Sequence, residues 1–492
     1  MSDACGAGGE AAASAAAGDR SGGGRHVSAG SGPDPGSFRD PGNRVVHHDG
    51  EVYRALDDRS ADELAAMRAL EFFPREMARG RILDAADVER PDGLDLAGPW
   101  TTFVRHPRLD VWTYPDEWSF SMLQDAALLQ LELLAAALAE DAVCKDATPY
   151  NVQFVGTTPV FVDVGSFERL TPGDPWFGYL QFCQLFLYPL LVQAYAEVAF
   201  QPLLRAELDG IGPDLAARLL GARRAWRRGV AVHVLLHARA QARFADADGD
   251  VKDDLARSGF SRRLIEANVA GLTTLVRGLR WDRSESEWSG YAERTHYASA
   301  DLEAKEAFVA EAAGRRRWDL AWDVGCNDGR FARVVAPRCG HVLAFDADHL
   351  VVDLLYRRLR GAGPGNITPL VVDLADPSPA RGWRSVERAA FLDRNRPDLV
   401  LFLAVIHHLA ISGNVPLPEV VAFLRSLDAV VVLEFPTEDD PMVRRLLRTK
   451  RAGVHDGYRL EHLDALVDER FDVRRRQVLA GGERVLFELA PR

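Results

Sequence analysis

Three aspartates each close a short apolar run: Asp323 in WDLAWDV, Asp346 in VLAFD and Asp373 in LVVD. Right after the first comes a turn bounded by glycines, Gly325-Cys326-Asn327-Asp328-Gly329. Glycine lets a backbone approach a ligand closely, and asparagine tolerates the left-handed conformation a middle glycine would otherwise take. Gly325, Asn327 and Gly329 therefore read as one wall of a ligand crevice. Asp346 lies 23 residues past Asp323, about where a strand-end carboxylate meets ribose hydroxyls. A carboxylate at Asp373 can accept a hydrogen bond from an exocyclic amine, and Leu374 beside it offers a backbone N–H. The turn GCNDGR has neither the GxGxxG of a nicotinamide site nor the GKS or GKT of a phosphate loop. Its acidity would repel a pyrophosphate and suits a cationic ligand without phosphate.

DVGCNDG, followed by an acid at the second strand end and another at the third, resembles the class I, Rossmann-like methyltransferases over roughly 315–492. The resemblance implies S-adenosylmethionine as cofactor, with Asp346 as the ribose-binding acid and Asp373 as the adenine-side acid. DLADPSPARGW, VIHHLAISGNVPL and LEFPTEDDP are further similar to a bacterial, nodulation-type group of such methyltransferases. One departure is Asn327, where the family often has glycine. The three acids are expected in register at adjacent strand ends, and the bland alternative is that they only cap turns and helices.

Methyl transfer is an in-line displacement, so a protein must chiefly align donor and acceptor and exclude water. An oxygen or nitrogen acceptor also has to lose a proton. His407 and His408 follow the fourth strand, at the rim where acceptors bind, and either is a candidate catalytic base. Packing inside the fold is the competing role for one of them. Glu434 and Trp383 are weaker candidates for acceptor contact.

Asp-Val-Gly occurs a second time, at Asp163-Val164-Gly165, after Asp146 and Asn151 in KDATPYN. This order resembles the catalytic loop and metal-binding triplet of protein kinases and aminoglycoside phosphotransferases, which implies an acceptor-orienting Asp146 and magnesium-binding Asn151 and Asp163. Cys144-Lys145 replaces the usual His-Arg, and 44–118 has no glycine-rich loop and no Val-Ala-Ile-Lys strand. The preferred reading is a vestigial kinase-like site in an accessory or substrate domain. Two alternatives stand: a phosphotransferase, alone or fused to a methyltransferase, and a non-catalytic cofactor-sensing protein.

The elements that must hold these groups follow from patterning. Residues 1–43 are rich in Gly, Ala, Ser and Pro and read as a disordered tail. Alternation around Asp49-Gly50 predicts a hairpin, ADELAAMRALEFFPREMARG a helix, and 119–141 a long helix capped by Ser119 or Ser121. VQFV and PVFVDV predict strands, and 176–245 is expected to be helical. From Trp318 onward strands and helices alternate, which predicts a mostly parallel seven-stranded α/β sheet. The expected division is a tail at 1–43, a mostly helical, α+β kinase-like domain at 44–295 and a methyltransferase domain at 296–492.

With 492 residues, 47% hydrophobic and 27% charged, the chain is globular and long enough for two or three cores. A net charge of −13 disfavours nucleic acid as partner and leaves a small-molecule acceptor as the expected one. Five scattered cysteines without a CxxC pair suit reduced thiols in a cytoplasm, and no zinc or other metal is expected. The apolar stretch 179–200 contains Gln181, Gln184, Pro189, Gln193 and Glu197 and reads as buried helix, so no membrane partner is expected. HVLLH at 233–237 lacks a third metal ligand, RRLLRTKR at 444–451 reads as a solvated face, and the Trp- and Pro-rich 99–118 lines either a cleft or a domain seam.

Overall fold

The computed structural model describes residues 31–236, 261–283, 299–361 and 363–492. Its amino half opens on a five-stranded antiparallel sheet ordered β1-β2-β3-β5-β4. The strands are β1 Gly32–Pro33, β2 Asn43–His48, β3 Glu51–Leu56, β4 Ala86–Val88 and β5 Thr102–His106. The hairpin read around Asp49-Gly50 is β2–β3. Asp49 (φ 51°) and Gly50 (φ 82°) both take the left-handed conformation that a tight two-residue turn needs. Backbone pairing starts earlier than composition indicates, because β1 pairs with β2 inside the stretch assigned to the tail. Asp34 and Arg39 also find polar partners, in His47 and Glu387. Residues 1–30 lie outside the described residues.

The helix expected over 61–80 is two, Asp58–Arg68 and Phe72–Ala78, the first capped by Asp57. The long helix runs Phe120–Leu138, and the Ser119 hydroxyl accepts from the Met122 N–H at its start. It is the one helix among the described residues long and apolar enough to cross a membrane, and 67% of that window is buried by the rest of the protein. Two short pairs follow: β6 Ala142–Cys144 with β9 Phe167–Arg169, and β7 Val152–Val155 with β8 Thr158–Phe161. Within the stretch 179–200, Tyr179–Ala196 is largely buried helix with a π-helical insert at Cys183–Leu187, and the helix ends before Glu197. His233 meets the Tyr179 hydroxyl at 2.7 Å through Nδ1, while His237 and most of the join expected at 247–300 lie outside the described residues.

The carboxyl half is a seven-stranded sheet ordered β12-β11-β10-β13-β14-β16-β15. The strands are β10 Trp318–Val324, β11 Cys339–Asp346, β12 Ile367–Val371, β13 Leu399–Phe402, β14 Val430–Pro436, β15 Phe471–Val478 and β16 Arg484–Pro491. The first five in chain order are mutually parallel, and β16 runs antiparallel to both its neighbours. Their apolar runs are buried, as a sheet covered on both faces requires. The order reverses between β10 and β13, and it is beyond the carboxyl ends at such a reversal that open α/β sheets take ligands.

The two halves share one apolar core, a continuous cluster that runs from Leu56 to Leu489. Polar contacts reinforce it. Thr368 Oγ1 donates to the Gly156 carbonyl at 3.0 Å, Tyr356 to Asp125 at 2.7 Å, and the Ser121 N–H to Asp353 at 2.7 Å. The aromatic run 99–118 proves to be the seam: Arg394 pairs with buried Glu117, and Asn395 exchanges hydrogen bonds with the Trp112 backbone.

Candidate active site

The turn after β10 begins with Gly325 at φ 65°, Asn327 at φ 46° and Gly329 at φ 73°. At Gly325 a Cβ would lie 2.8 Å from Val405 Cγ2, so a side chain there would have to displace Val405 as well as strain the backbone. The turn thus touches the loop after β13, across the reversal of strand order. Gly329 leads into the Arg330–Val335 helix.

The acids are staggered, not level. Asp323 sits opposite Ala344 on β11, two residues short of Asp346, while Asp346 itself pairs with Val371, two residues before Asp373. The stagger separates their roles. Asp323 is 2% exposed and accepts from the Ala332 N–H at 2.9 Å, fastening the turn and the helix beneath it. Burial pushes its carboxyl up to about 7, against that hydrogen bond and Lys305. Asp346 is half-buried and held by two backbone donors, Asp348 N–H at 3.0 Å and Asn327 N–H at 3.3 Å. Burial raises it to about 6, with those donors opposing. Asp373 is exposed, and its Oδ1 accepts from the Ala375 N–H at 2.9 Å. Leu374 is half-buried beside it. Asp346, Asp373 and the glycine turn therefore lie at neighbouring strand ends, with Asp323 buried beneath the turn.

The two histidines part company. His407 is fully buried, neither ring nitrogen has a hydrogen-bond partner, and its ring centroid lies 4.1 Å from that of His408. Burial first, then His408, Arg484 and Lys305, hold it neutral well below the usual histidine range. His408 is half-buried and also lowered, by burial and by Arg484. Glu434 faces inward, away from acceptor contact: fully buried, it pairs with Lys305 and, at 3.0 Å, with Arg484, which also reaches Asp440 at 2.7 Å. This ionic cluster was not legible in the sequence, because Lys305 and Arg484 lie far from Glu434 along the chain. Trp383 is 66% exposed, on a loop after Asp373.

In the amino half, Asn151 and Asp163 meet through Ser166, and the Asp163 charge is felt at Asp146. Ser166 Oγ donates to Asp163 at 2.5 Å and accepts from Asn151 Nδ2 at 3.0 Å. The other Asp163 oxygen is held by Arg54 of β3 at 2.7 Å. Burial would raise Asp163, but Arg54 and Ser166 outweigh it and hold the carboxyl below its ordinary value. Asp146 is raised by burial and by the Asp163 charge. Arg54 was missed because its strand read only as half of a hairpin. A cavity of about 270 Å³ opens alongside, lined by Asp40, Asn43, Asp57, Glu63 and Lys145 among others.

No family model matches the chain. It is 33% identical over 455 residues to Nodulation protein NoeA of Rhizobium meliloti (strain 1021), covering 92% of this chain and 94% of that protein. The chain belongs to the NoeA nodulation-protein family. Among solved structures, the chain is similar over 39% of its length to the N-methyltransferase NodS from Bradyrhizobium japonicum WM9 (14% identity, 97% of that chain, TM-score 0.29). It is also similar to a magnesium protoporphyrin IX methyltransferase from Synechocystis PCC 6803 with bound SAM (16% identity, 43% and 87%, TM-score 0.27).

An adenosyl ligand fits the donors and acceptors present in this member of the family. Asp346 is a carboxylate fixed by two N–H groups at a strand tip, geometry that leaves acceptor capacity for a diol. In the 146–166 region both Asp163 oxygens are engaged, by Arg54 and Ser166, Asn151 donates to the same serine, and the adjoining cavity is lined by carboxylates together with Arg59 and Lys145.

Proposed function

We propose that this chain is an S-adenosylmethionine-dependent methyltransferase acting on a small-molecule acceptor. The observation that carries the reading is the Asp346 carboxylate, pinned at the tip of β11 by the glycine turn of neighbouring β10, where a Cβ on Gly325 would crowd Val405 across the reversal of strand order. The bound cofactor would supply a methyl group already activated by its sulfonium. Asp346 accepts from the ribose hydroxyls, and Asp373 with the Leu374 N–H meets the adenine edge. His408, the more accessible imidazole, takes a proton from the acceptor and is kept neutral for that purpose by burial and Arg484. His407, Glu434, Lys305 and Arg484 form the dry floor that excludes water.

The amino half is a kinase-like accessory domain in this reading. The five-stranded sheet and the spacing of Asp146, Asn151 and Asp163 favour that relationship, and the Arg54–Asp163 pair argues against phosphoryl transfer. Calorimetry with S-adenosylhomocysteine tests the proposal: saturable binding by the wild type, reduced about a hundredfold or more in Asp346→Ala through loss of a charged acceptor for two hydroxyls. A wild type that takes up no ligand overturns it.

A further inference from the structure

The turn that carries Asp373 is gripped from the other half of the molecule. Arg205, in the Gln201–Ala206 helix, places three hydrogen bonds of 2.9 Å on it: to the Asp376 carbonyl, the Asp376 carboxylate and the Pro377 carbonyl. Within the turn, the Asp376 N–H returns to the Asp373 carbonyl at 3.0 Å and the Ala375 N–H to the Asp373 carboxylate. Held at its far end by one planar fork, the turn fixes where the Asp373 carboxylate stands. The grip is reciprocal. Arg381, downstream of the turn, donates to the carbonyls of Leu204 and Arg205, in the last turn of the same helix, and pairs with buried Asp116 at 2.5 Å. Ser378 Oγ adds a bond to Asp116 at 3.3 Å.

We infer that Arg205 is a positioning residue for adenine recognition, supplied by the amino half to a cofactor site in the carboxyl half. The inference rests on the methyltransferase reading. Arg205 touches no cofactor. It acts through the backbone of 376–377 on a side chain that is otherwise exposed and held only by its own turn. Adenine selectivity then depends on a residue outside the sheet that binds the ligand.

The test compares S-adenosylhomocysteine with S-inosylhomocysteine, in which a carbonyl replaces the exocyclic amine, by calorimetry on the full chain. The wild type is expected to prefer the adenosyl ligand about tenfold or more, as a site built to bond an amine does. Arg205→Ala should weaken the adenosyl ligand about fivefold and shrink the preference to about twofold or less, leaving the inosyl ligand nearly unchanged. Arg205→Lys, which keeps the charge without the fork, should recover only part of the preference. If Arg205→Ala does not fold, Arg205→Gln carries the same test, since the ratio of the two affinities is read within one protein. A preference unchanged in a folded Arg205→Ala or Arg205→Gln protein overturns the inference, as does an equal loss for both ligands. A wild type that binds neither ligand overturns the methyltransferase reading instead.

Discussion

At the scale of single residues, the proposed roles divide the acids into one that supports and two that bind, and burial sets Asp323 apart. Asp323 has its pKa raised by burial from the ordinary carboxylate range to about 7. The folded state therefore holds the proton more tightly than the unfolded chain, and the associated stability is complete below about pH 4 and lost as pH rises through 7. Asp323→Asn, whose carbonyl can still accept from Ala332, should flatten that decline; urea unfolding of both proteins between pH 4 and 8 measures it. Asp346 is raised to about 6, so affinity for S-adenosylhomocysteine should improve as pH climbs through 6 and its carboxylate ionises. His407 makes a third case. A buried imidazole without partners costs stability, so His407→Met should be neutral or stabilising by about 1 kcal/mol in denaturant unfolding. His408→Gln should instead lower kcat about a hundredfold while leaving cofactor affinity intact. These differences were only half legible in sequence. The spacing of Asp346 and Asp373 after apolar runs marks strand ends, whereas a stagger of two residues depends on sheet register, which no local pattern records.

Local signals translate well into elements where one chemical device sets them. Asp49-Gly50 supplies two left-handed residues and yields the hairpin; Ser119 caps the long helix it precedes. Ser119→Ala should cost about 1 kcal/mol in the same unfolding assay. Legibility fails where tertiary context decides. Residues 31–42 look like the rest of the tail by composition, yet β1 pairs and Arg39 reaches Glu387, a contact 348 positions away. The π-helical insert at Cys183–Leu187 has no periodic signature distinct from ordinary helix. The β7–β8 turn shows the same dependence. A Cβ on Gly156 would stand 2.2 Å from the Gly365 carbonyl, so Gly156→Ala should destabilise by about 2 kcal/mol or more, beyond its backbone cost at φ 61°.

At the scale of the whole molecule, the two halves read as separate domains in sequence, since their motifs resemble different families. Physically they form a single body, with a common core and buried ion pairs across the seam. Breaking one such pair leaves a buried charge alone, so Arg394→Met should cost about 3 kcal/mol or more. Scanning calorimetry should show one cooperative transition, and two well-separated ones would contradict the shared core. The Thr368–Gly156 contact carries this unity to an unexpected place, the genetic exchange of such chains. A chimera that joins the front of one relative to the back of another must match a glycine to a glycine and a hydroxyl to a carbonyl at a junction neither parent's own segment specifies. Crossovers between homologous genes should therefore survive as paired substitutions on both sides of that junction, and inheritance would treat the halves as one unit even where their ancestries differ.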